Sequence, residues 1–339
     1  FGGGILHDLA MTHIQAYRKG LDIVRDAAPD IFLLGCNVSQ NMRSMGAAFG
    51  KLDAMRIGPD NGAAANGRWD QVTVGAWHGS NLYFLNKRVW HNDPDPVYVR
   101  PSNPLHKARL MVSWVAVSGN MLSCSYQFPN LPEDRLDLLK RCMPGHDAIA
   151  RPVDLFETRQ ARIWLVEKPD TSQKILGLFN WDEHTPHTVT YDLEKLGINP
   201  KETYAAFDYW ANAGIPPIHG KLEQTIPAGS CRVLALRPNA EYPQVLSTSR
   251  HITQGMIDLI EEEWHAQNQV LSGTSQLIKD DPYELRILLP SDGAWKDTKI
   301  TADAAKVTQQ KTEDRLLRVT LLADRNQAVT WKIHFNSTP

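Results

Sequence analysis

The stretch "LDAMRIGPDNG" (residues 52–62) joins a short apolar strand to a turn. Its first part is mostly apolar, as in a buried strand, and Pro-Asp-Asn-Gly at 59–62 favours a turn. Arg56 interrupts the apolar residues, and a guanidinium in a buried strand needs an anionic or polyhydroxy partner to offset its desolvation. Asp60 follows four residues later. The stretch therefore predicts a buried strand with an Arg-Asp pair at its carboxyl end.

The same pattern of a short apolar run followed by polar residues recurs on both sides of this stretch. The other runs are "IFLLGC" (31–36), "RVWHND" (88–93) and "MLSCS" (121–125). Apolar residues at helical spacing lie around and between these runs, at 11–28, 39–50, 67–85, 104–117 and 131–142. This order, one helix and then four βα units, predicts a parallel sheet with its functional groups at the carboxyl ends of the strands.

Four such strands are half of an eight-stranded barrel. An open half-barrel would expose a long sheet edge and an apolar face. We therefore expect residues 1–148 to be the second half of a (β/α)8 TIM barrel whose first half is absent from this chain. The partner half would belong to the same gene product or to a separate chain. The opening Phe-Gly-Gly-Gly agrees with this, because it is typical of a loop within a longer protein.

Beyond residue 148 the apolar residues alternate with period two. Runs such as "RIWLVE", "KILGLFNW" and "CRVLALRP" are separated by turn residues and predict an antiparallel β-sandwich at 149–238. Further strand patterns predict a second β-rich domain at 239–339. The expected fold class is α/β plus all-β.

Composition narrows the class of function. The 339 residues carry a formal net charge of −2, which gives no electrostatic case for nucleic acid or an anionic membrane. The four cysteines form no CxxC motif or Cys/His cluster, and no glycine motif of a phosphate-binding loop is present. We expect no cofactor and no metal. We also expect a secreted or periplasmic location, although the cysteines fit a reducing compartment as well.

Three places could carry chemistry. Asp60 is either an ordinary turn aspartate or a general acid/base at a strand end, and Arg56 adds weight to the second interpretation. "WHNDPDPVYVR" (90–100), with Asp93 and Asp95 on either side of a proline beside His91, is either a loop that caps its own backbone or a rigid wall of the site. Cys36 is more often a small buried residue than a nucleophile, whereas Asn37 could bind a hydroxyl group.

Together, Arg56 to Asp60, "NDPD" (92–95) and "SWVAVSGNMLSCS" (113–125) resemble the second half of the catalytic barrel of the α-galactosidase (melibiase) clan, glycoside hydrolase families 27 and 36. The resemblance implies that Asp60 is the general acid/base and that Arg56 contacts the sugar beside it. Cys36 and Asn37 match positions lining the pocket near the 2-substituent. The clan's nucleophile is an aspartate of a Lys-x-Asp motif, which the resemblance places just upstream of residue 1. Asp8 is instead expected to cap the first helix.

The resemblance implies retaining hydrolysis of terminal α-galactosides, with a galactose-containing oligosaccharide or glycoconjugate as substrate. Related specificities remain open: α-N-acetylgalactosaminidase, β-L-arabinopyranosidase and isomaltodextranase. A catalytically inert carbohydrate-binding protein on a degenerate barrel is the alternative from another class. A carbohydrate-binding module at 240–339 is a third possibility.

Overall fold

The computed structural model describes residues 5–36, 45–291 and 294–338. Its N-terminal part holds three short parallel strands in the order β1 (Leu34–Gly35), β2 (Ala54–Arg56) and β3 (His91–Asp93). Met55 and Ile57 are buried, as expected for a strand covered on both faces. The register pairs Gly35 with Met55 and Arg56 with Asp93, so the three carboxyl ends lie side by side.

Four helices accompany these strands: α1 (His13–Ala27), α2 (Trp69–Asn81), α3 (Leu105–Ser118) and α4 (Glu133–Lys140). Helix α1 begins after Thr12, whose side chain forms a capping box with Gln15. The expectation that Asp8 caps this helix is wrong, because its Oδ1 instead accepts from the Ala10 N–H, 2.9 Å away. Of the helix predicted at 39–50, the described residues show only a 3₁₀ turn at Met45–Ala48.

The fourth predicted strand, at 121–125, is not a regular strand. The Met121 N–H donates to the Asn92 carbonyl at 2.9 Å, the Val97 N–H donates to the Ser123 carbonyl at 2.9 Å, and Cys124 forms an isolated parallel bridge with Val97. The segment between Asn92 and Val97 is Asp93-Pro94-Asp95-Pro96. Since prolines have no N–H and Asp95 has a φ of 77°, this segment cannot supply a continuous ladder.

The next part is an antiparallel sheet of eight strands in the order β4-β5-β6-β11-β8-β9-β10-β7. The strands are β4 (Arg151–Pro152), β5 (Ile163–Glu167), β6 (Lys174–Phe179), β7 (His187–Asp192), β8 (Thr203–Asp208), β9 (Ala213–His219), β10 (Lys221–Ile226) and β11 (Cys231–Pro238), with helix α5 (Leu193–Leu196) after β7. Alternate residues of β5 face opposite sides, as a period of two requires. Trp164 packs with α3, whereas Ile163 and Leu165 lie in the sandwich's own core.

The C-terminal part is a second sandwich of two four-stranded antiparallel sheets, in the orders β12-β15-β18-β17 and β13-β14-β19-β16. The strands are β12 (Gln244–Thr248), β13 (Leu259–His265), β14 (Val270–Leu277), β15 (Tyr283–Leu288), β16 (Ala294–Ala302), β17 (Lys306–Glu313), β18 (Leu316–Leu322) and β19 (Gln327–Thr338). Trp331 and Tyr283 are fully buried between the sheets. The domain boundaries given above, at 148 and 238, stay predictions.

Among the described residues, no helix is both long and apolar enough to cross a membrane.

Candidate active site

Three predicted site residues form a row across the carboxyl ends of the strands. Arg56 is the last residue of β2 and lies opposite Asp93, the last residue of β3, and Cys36 directly follows β1. Neighbouring strands lie roughly 5 Å apart, so residues at this edge are within side-chain reach of one another. The fold therefore places a thiol, a guanidinium and a carboxylate together at the carboxyl ends of the three strands.

Arg56 is the centre of the group. Its Nη2 lies 2.7 Å from Asp60 Oδ1 and 2.6 Å from Asp95 Oδ2, and its Nη1 donates to Cys36 Sγ at 3.6 Å. The residue is only 7% exposed. Burial lowers the pKa of Arg56, but the charges of Asp95, Asp93, Cys36 and Asp60 outweigh it and leave the pKa raised. The guanidinium is therefore a fixed cation shared by several acidic groups.

Asp60 is the exposed member of the group. Its side chain is 86% accessible, although Oδ1 is held by Arg56. Gly58-Pro59 ahead of it takes the chain out of the sheet, and Asn61 and Gly62 begin a 3₁₀ turn after it. The carboxyl group therefore faces open space at the strand ends while one of its oxygens is oriented. This is the geometry a proton donor to an external group needs.

Asp93 and Asp95 are the buried carboxylates. The Asp95 N–H donates to Asp93 Oδ1 at 2.9 Å, and Asp95 Oδ2 accepts from the Asn61 N–H at 2.7 Å. Burial raises the pKa of both groups, and Arg56 together with these backbone donors opposes the rise. Asp95 thus links the loop after β3 to the turn after β2 through Arg56 and Asn61.

The remaining predicted residues lie elsewhere. His91 is the first residue of β3, opposite Ala54, so it lies at the amino end of the strand and the structure does not bring it to Arg56. Its side chain is exposed, with its ring 6.3 Å from that of Phe32. Asn37 lies outside the described residues. Among those residues, no three His, Cys, Asp or Glu side chains are arranged to hold a metal ion.

Asp95, the second ion-pair partner of Arg56, belongs to the predicted wall at 90–100, but the sequence assigned it no individual role in the site. The sequence Pro94-Asp95-Pro96 could have indicated a site residue, because an aspartate between two prolines is held in a defined conformation by its neighbours. The contact between Asp95 and Arg56 was not predictable from the sequence, because the two residues are 39 positions apart and come together only through the parallel register of β2 and β3.

Comparison with known proteins identifies the first sandwich. Residues 158–236 match the family model of the alpha galactosidase C-terminal beta sandwich domain. The predicted antiparallel β-sandwich is therefore confirmed.

Solved structures of glycoside hydrolases share the fold. A family 27 β-L-arabinopyranosidase from Geobacillus stearothermophilus, in complex with arabinose, aligns over 69% of this chain and 56% of its own, with 15% identity and a TM-score of 0.55. The α-galactosidase of Saccharomyces cerevisiae with raffinose aligns over 67% and 68%, with 13% identity and a TM-score of 0.50. An isomalto-dextranase of Arthrobacter globiformis T6 complexed with panose aligns over 95% and 63%, with 12% identity and a TM-score of 0.50.

At these identities the similarity shows the fold. The chain spans only 56% of the arabinopyranosidase and 63% of the isomalto-dextranase. The predicted fold class, α/β followed by all-β, is confirmed together with the predicted resemblance. Residues 158–236 match the alpha galactosidase C-terminal beta sandwich domain, and the chain shares its fold, over about two thirds of its length, with a β-L-arabinopyranosidase of family 27 and an α-galactosidase.

Proposed function

We propose that this chain is the C-terminal part of a retaining exo-glycoside hydrolase that acts on terminal α-galactosides. The observation that carries the proposal is the exposed Asp60 carboxyl group, oriented by the buried Arg56 at the carboxyl ends of parallel strands. Active groups lie at this end of parallel α/β sheets. The solved structures compared above, which share the fold, are glycoside hydrolases.

The proposed chemistry uses two carboxyl groups about 5–5.5 Å apart. A nucleophilic aspartate, proposed to lie upstream of residue 1, attacks the anomeric carbon while protonated Asp60 donates its proton to the leaving oxygen. The glycosyl-enzyme ester is then cleaved by a water molecule that loses a proton to Asp60. The two inversions retain the anomeric configuration, and Asp60 ends the cycle protonated as it began.

Arg56 and Asp95 support this role of Asp60. Arg56 holds one carboxylate oxygen of Asp60, which leaves the other free to point to the leaving group. Asp95 forms an ion pair with Arg56 and accepts a hydrogen bond from the Asn61 N–H, so this buried carboxylate holds the guanidinium in place. A charged hydrogen-bond network of this kind reduces the reorganisation needed at the moment of reaction.

The apolar surface of the N-terminal part supports the proposal that further βα units complete the barrel. Strand β1 is an edge strand of the described sheet, and Phe32 and Leu34 on this edge are half exposed. Helix α1 has no buried residue, and Ile23 and Val24 on it are 60% and 48% exposed. An edge with neighbouring apolar side chains is a surface on which another strand and helix could pack.

The test is hydrolysis by the protein that contains this chain and the proposed upstream units, with Asp60→Asn as the variant. We expect a small effect on kcat/KM for nitrophenyl α-galactoside, because this constant reports the glycosylation step and the leaving group needs little protonation. For an α-galactosyl disaccharide we expect kcat to fall by about 10²- to 10⁴-fold. Asp70→Asn is the matched control, because Asp70 is an exposed aspartate whose ion-pair partner is the exposed Arg68 and not Arg56.

Equal rates of wild type and Asp60→Asn on both substrates would refute the acid/base assignment. Binding of galactosides with no hydrolysis by the wild type would instead support the inert carbohydrate-binding protein. A secreted or periplasmic location stays a prediction.

A second candidate specificity is hydrolysis of α-linked glucose oligosaccharides. It is favoured by one observation, the alignment of the isomalto-dextranase over 95% of this chain, which includes the second sandwich. Parallel assays on melibiose and isomaltotriose separate the two specificities.

A further inference from the structure

A cleft of about 900 Å³ lies between the two β-sandwiches. Its walls are the turn that joins β5 to β6 (168–173), the end of β11 with the segment up to Tyr242, and the first half of β13. A cleft of this size suits a ligand of a few sugar units. None of the described residues of the parallel-sheet part lines the cleft, so it is separate from the group around Arg56.

Tyr242 is the aromatic residue that lines this cleft. It is 43% exposed, and one face of its ring stacks on Trp264, with centroids 6.0 Å apart and planes inclined by 9°. Trp264 is in turn packed edge-on against Trp295, at 5.7 Å. Stacking on this anchored ring leaves the opposite face of Tyr242 as a rigid apolar platform.

The cations of the cleft are already engaged. Lys168 Nζ donates to the carbonyls of Gly255 and Leu259. Arg237 donates to the Val245 carbonyl and forms an ion pair with Glu262. These contacts join the two sandwiches and leave little positive charge available to bind an anion.

The exposed polar groups of the cleft are carboxylates and hydroxyls. Asp170, Thr171 and Ser172 line the side of the first sandwich, and Glu261 lines the side of the second. Carboxylates accept hydrogen bonds from hydroxyl groups and repel anions, whereas hydroxyls both donate and accept. The polar rim suits neither a lipid tail nor a nucleic acid.

We propose that this cleft is a non-catalytic binding site for a neutral oligosaccharide, which stacks a pyranose ring on Tyr242. A pyranose has a face of C–H groups that packs on an aromatic ring, and equatorial hydroxyls that project sideways to groups such as Glu261 and Asp170. The site goes beyond hydrolysis at Asp60. It would keep a longer glycan attached while its terminal residue is processed elsewhere.

The test is isothermal titration of the full chain with two neutral probes, raffinose and panose. We expect at least one probe to bind, Tyr242→Ala to weaken binding about tenfold or more, and Tyr242→Phe to bind within about twofold of wild type. Phe156→Ala is the matched control, because Phe156 is 96% exposed and does not line the cleft. Far-UV circular dichroism shows whether each variant is folded.

Glu261→Gln is a second variant that keeps the shape of an exposed side chain, and we expect it to weaken binding without affecting folding. In an Asp60→Asn background, Tyr242→Ala should still weaken binding of the probes. Wild-type affinity of Tyr242→Ala, or no binding of either probe by the wild type, would overturn the proposal. Binding that is lost in Asp60→Asn but kept in Tyr242→Ala would also overturn it, while leaving the proposed hydrolase function intact.

Discussion

Arg56 shows how one residue can organise a site. A buried guanidinium is costly, and three acidic side chains around it offset that cost: Asp60 and Asp95 by direct contact and Asp93 by proximity. Asp60 is exposed and available to a ligand, whereas Asp95 is buried and holds the guanidinium in place. The same arginine therefore stabilises the carboxyl end of the sheet and orients the proposed proton donor.

Arg56→Ala should destabilise the protein by about 3 kcal/mol, because it leaves the buried carboxylates of Asp93 and Asp95 without their cation. The measurement is urea unfolding at pH 7. Arg68→Ala is the matched control. Both members of the Arg68–Asp70 pair are exposed, so its loss should cost less than about 1 kcal/mol. Equal losses in the two variants would contradict the role given to Arg56.

At the scale of elements, helix α3 is the piece that joins the parallel sheet to the first sandwich. Most of its residues are buried, and Trp114 packs edge-on against Trp164 of β5, with ring centroids 5.9 Å apart. The helix ends at Gly119, which has a φ of 63°. A Cβ at this glycine would lie 2.5 Å from Lys87 Nζ and 2.8 Å from His146 Cε1. Glycine is therefore required here both by conformation and by space.

Gly119→Ala should destabilise the protein by about 1–3 kcal/mol, through left-handed strain and displacement of the His146 ring. Gly20→Ala is the matched control. Gly20 lies inside helix α1 and a Cβ there meets nothing within 4 Å, so this change should stabilise by about 0.5–1 kcal/mol. Thermal unfolding of both variants measures the difference, and a neutral Gly119→Ala would refute the packing argument.

His146 should make stability depend on pH. Burial, assisted by the charge of Lys87, lowers the pKa of His146 to about 4, and its ring lies 3.0 Å from the Val117 carbonyl near the end of α3. An unfolded histidine takes up its proton near pH 6.5, so between pH 6.5 and 4 the unfolded chain binds more protons than the folded one. Stability contributed by neutral His146, up to about 3 kcal/mol, is therefore lost as the pH falls through this window.

The measurement is the free energy of unfolding at several pH values for wild type and His146→Gln. The variant should lose stability less steeply between pH 6.5 and 4. Some slope will remain, because burial also lowers the pKa of His251 to about 4. His184→Gln is the control, since the His184 side chain is 85% exposed, and its slope should equal that of the wild type.

At the scale of the whole molecule, the three parts are tied together by specific contacts. Helix α3 shares one apolar core with strands β5, β6 and β11. Arg141, after α4, forms a bidentate pair with Asp281 of the second sandwich, with both N–O distances at 2.7 Å. Such a pair fixes orientation as well as proximity. The parallel-sheet part is therefore held by both sandwiches and leaves its β1 edge exposed.

Phe32→Glu tests whether the exposed edge near β1 receives further βα units. In the protein that contains the proposed upstream units, a charge at this edge should lower the melting temperature and the hydrolytic activity together, because it would be buried on barrel closure. Phe156→Glu, a change on the first sandwich at a 96% exposed position, should alter neither property. If the two variants behave alike, the edge is not the docking surface.

The sequence by itself determined most of the local structure and part of the candidate site. The helical or alternating spacing of apolar residues is a local property of the chain. It therefore correctly separated the α/β part from the β-sandwiches. The contact between Arg56 and Asp60 was also predictable, because four residues and a turn keep the pair within reach.

The tertiary structure alone decided which distant residues meet and at which end of each strand they lie. The register brought Cys36 and Asp95 to Arg56 from far along the chain and put His91 at the opposite end of β3. The prolines around Asp95 prevent a continuous hydrogen-bond ladder with residues 121–125, the fourth predicted strand. The physical reason is that strand register and loop paths depend on the packing of the whole molecule, whereas the sequence pattern records only which side chains avoid water.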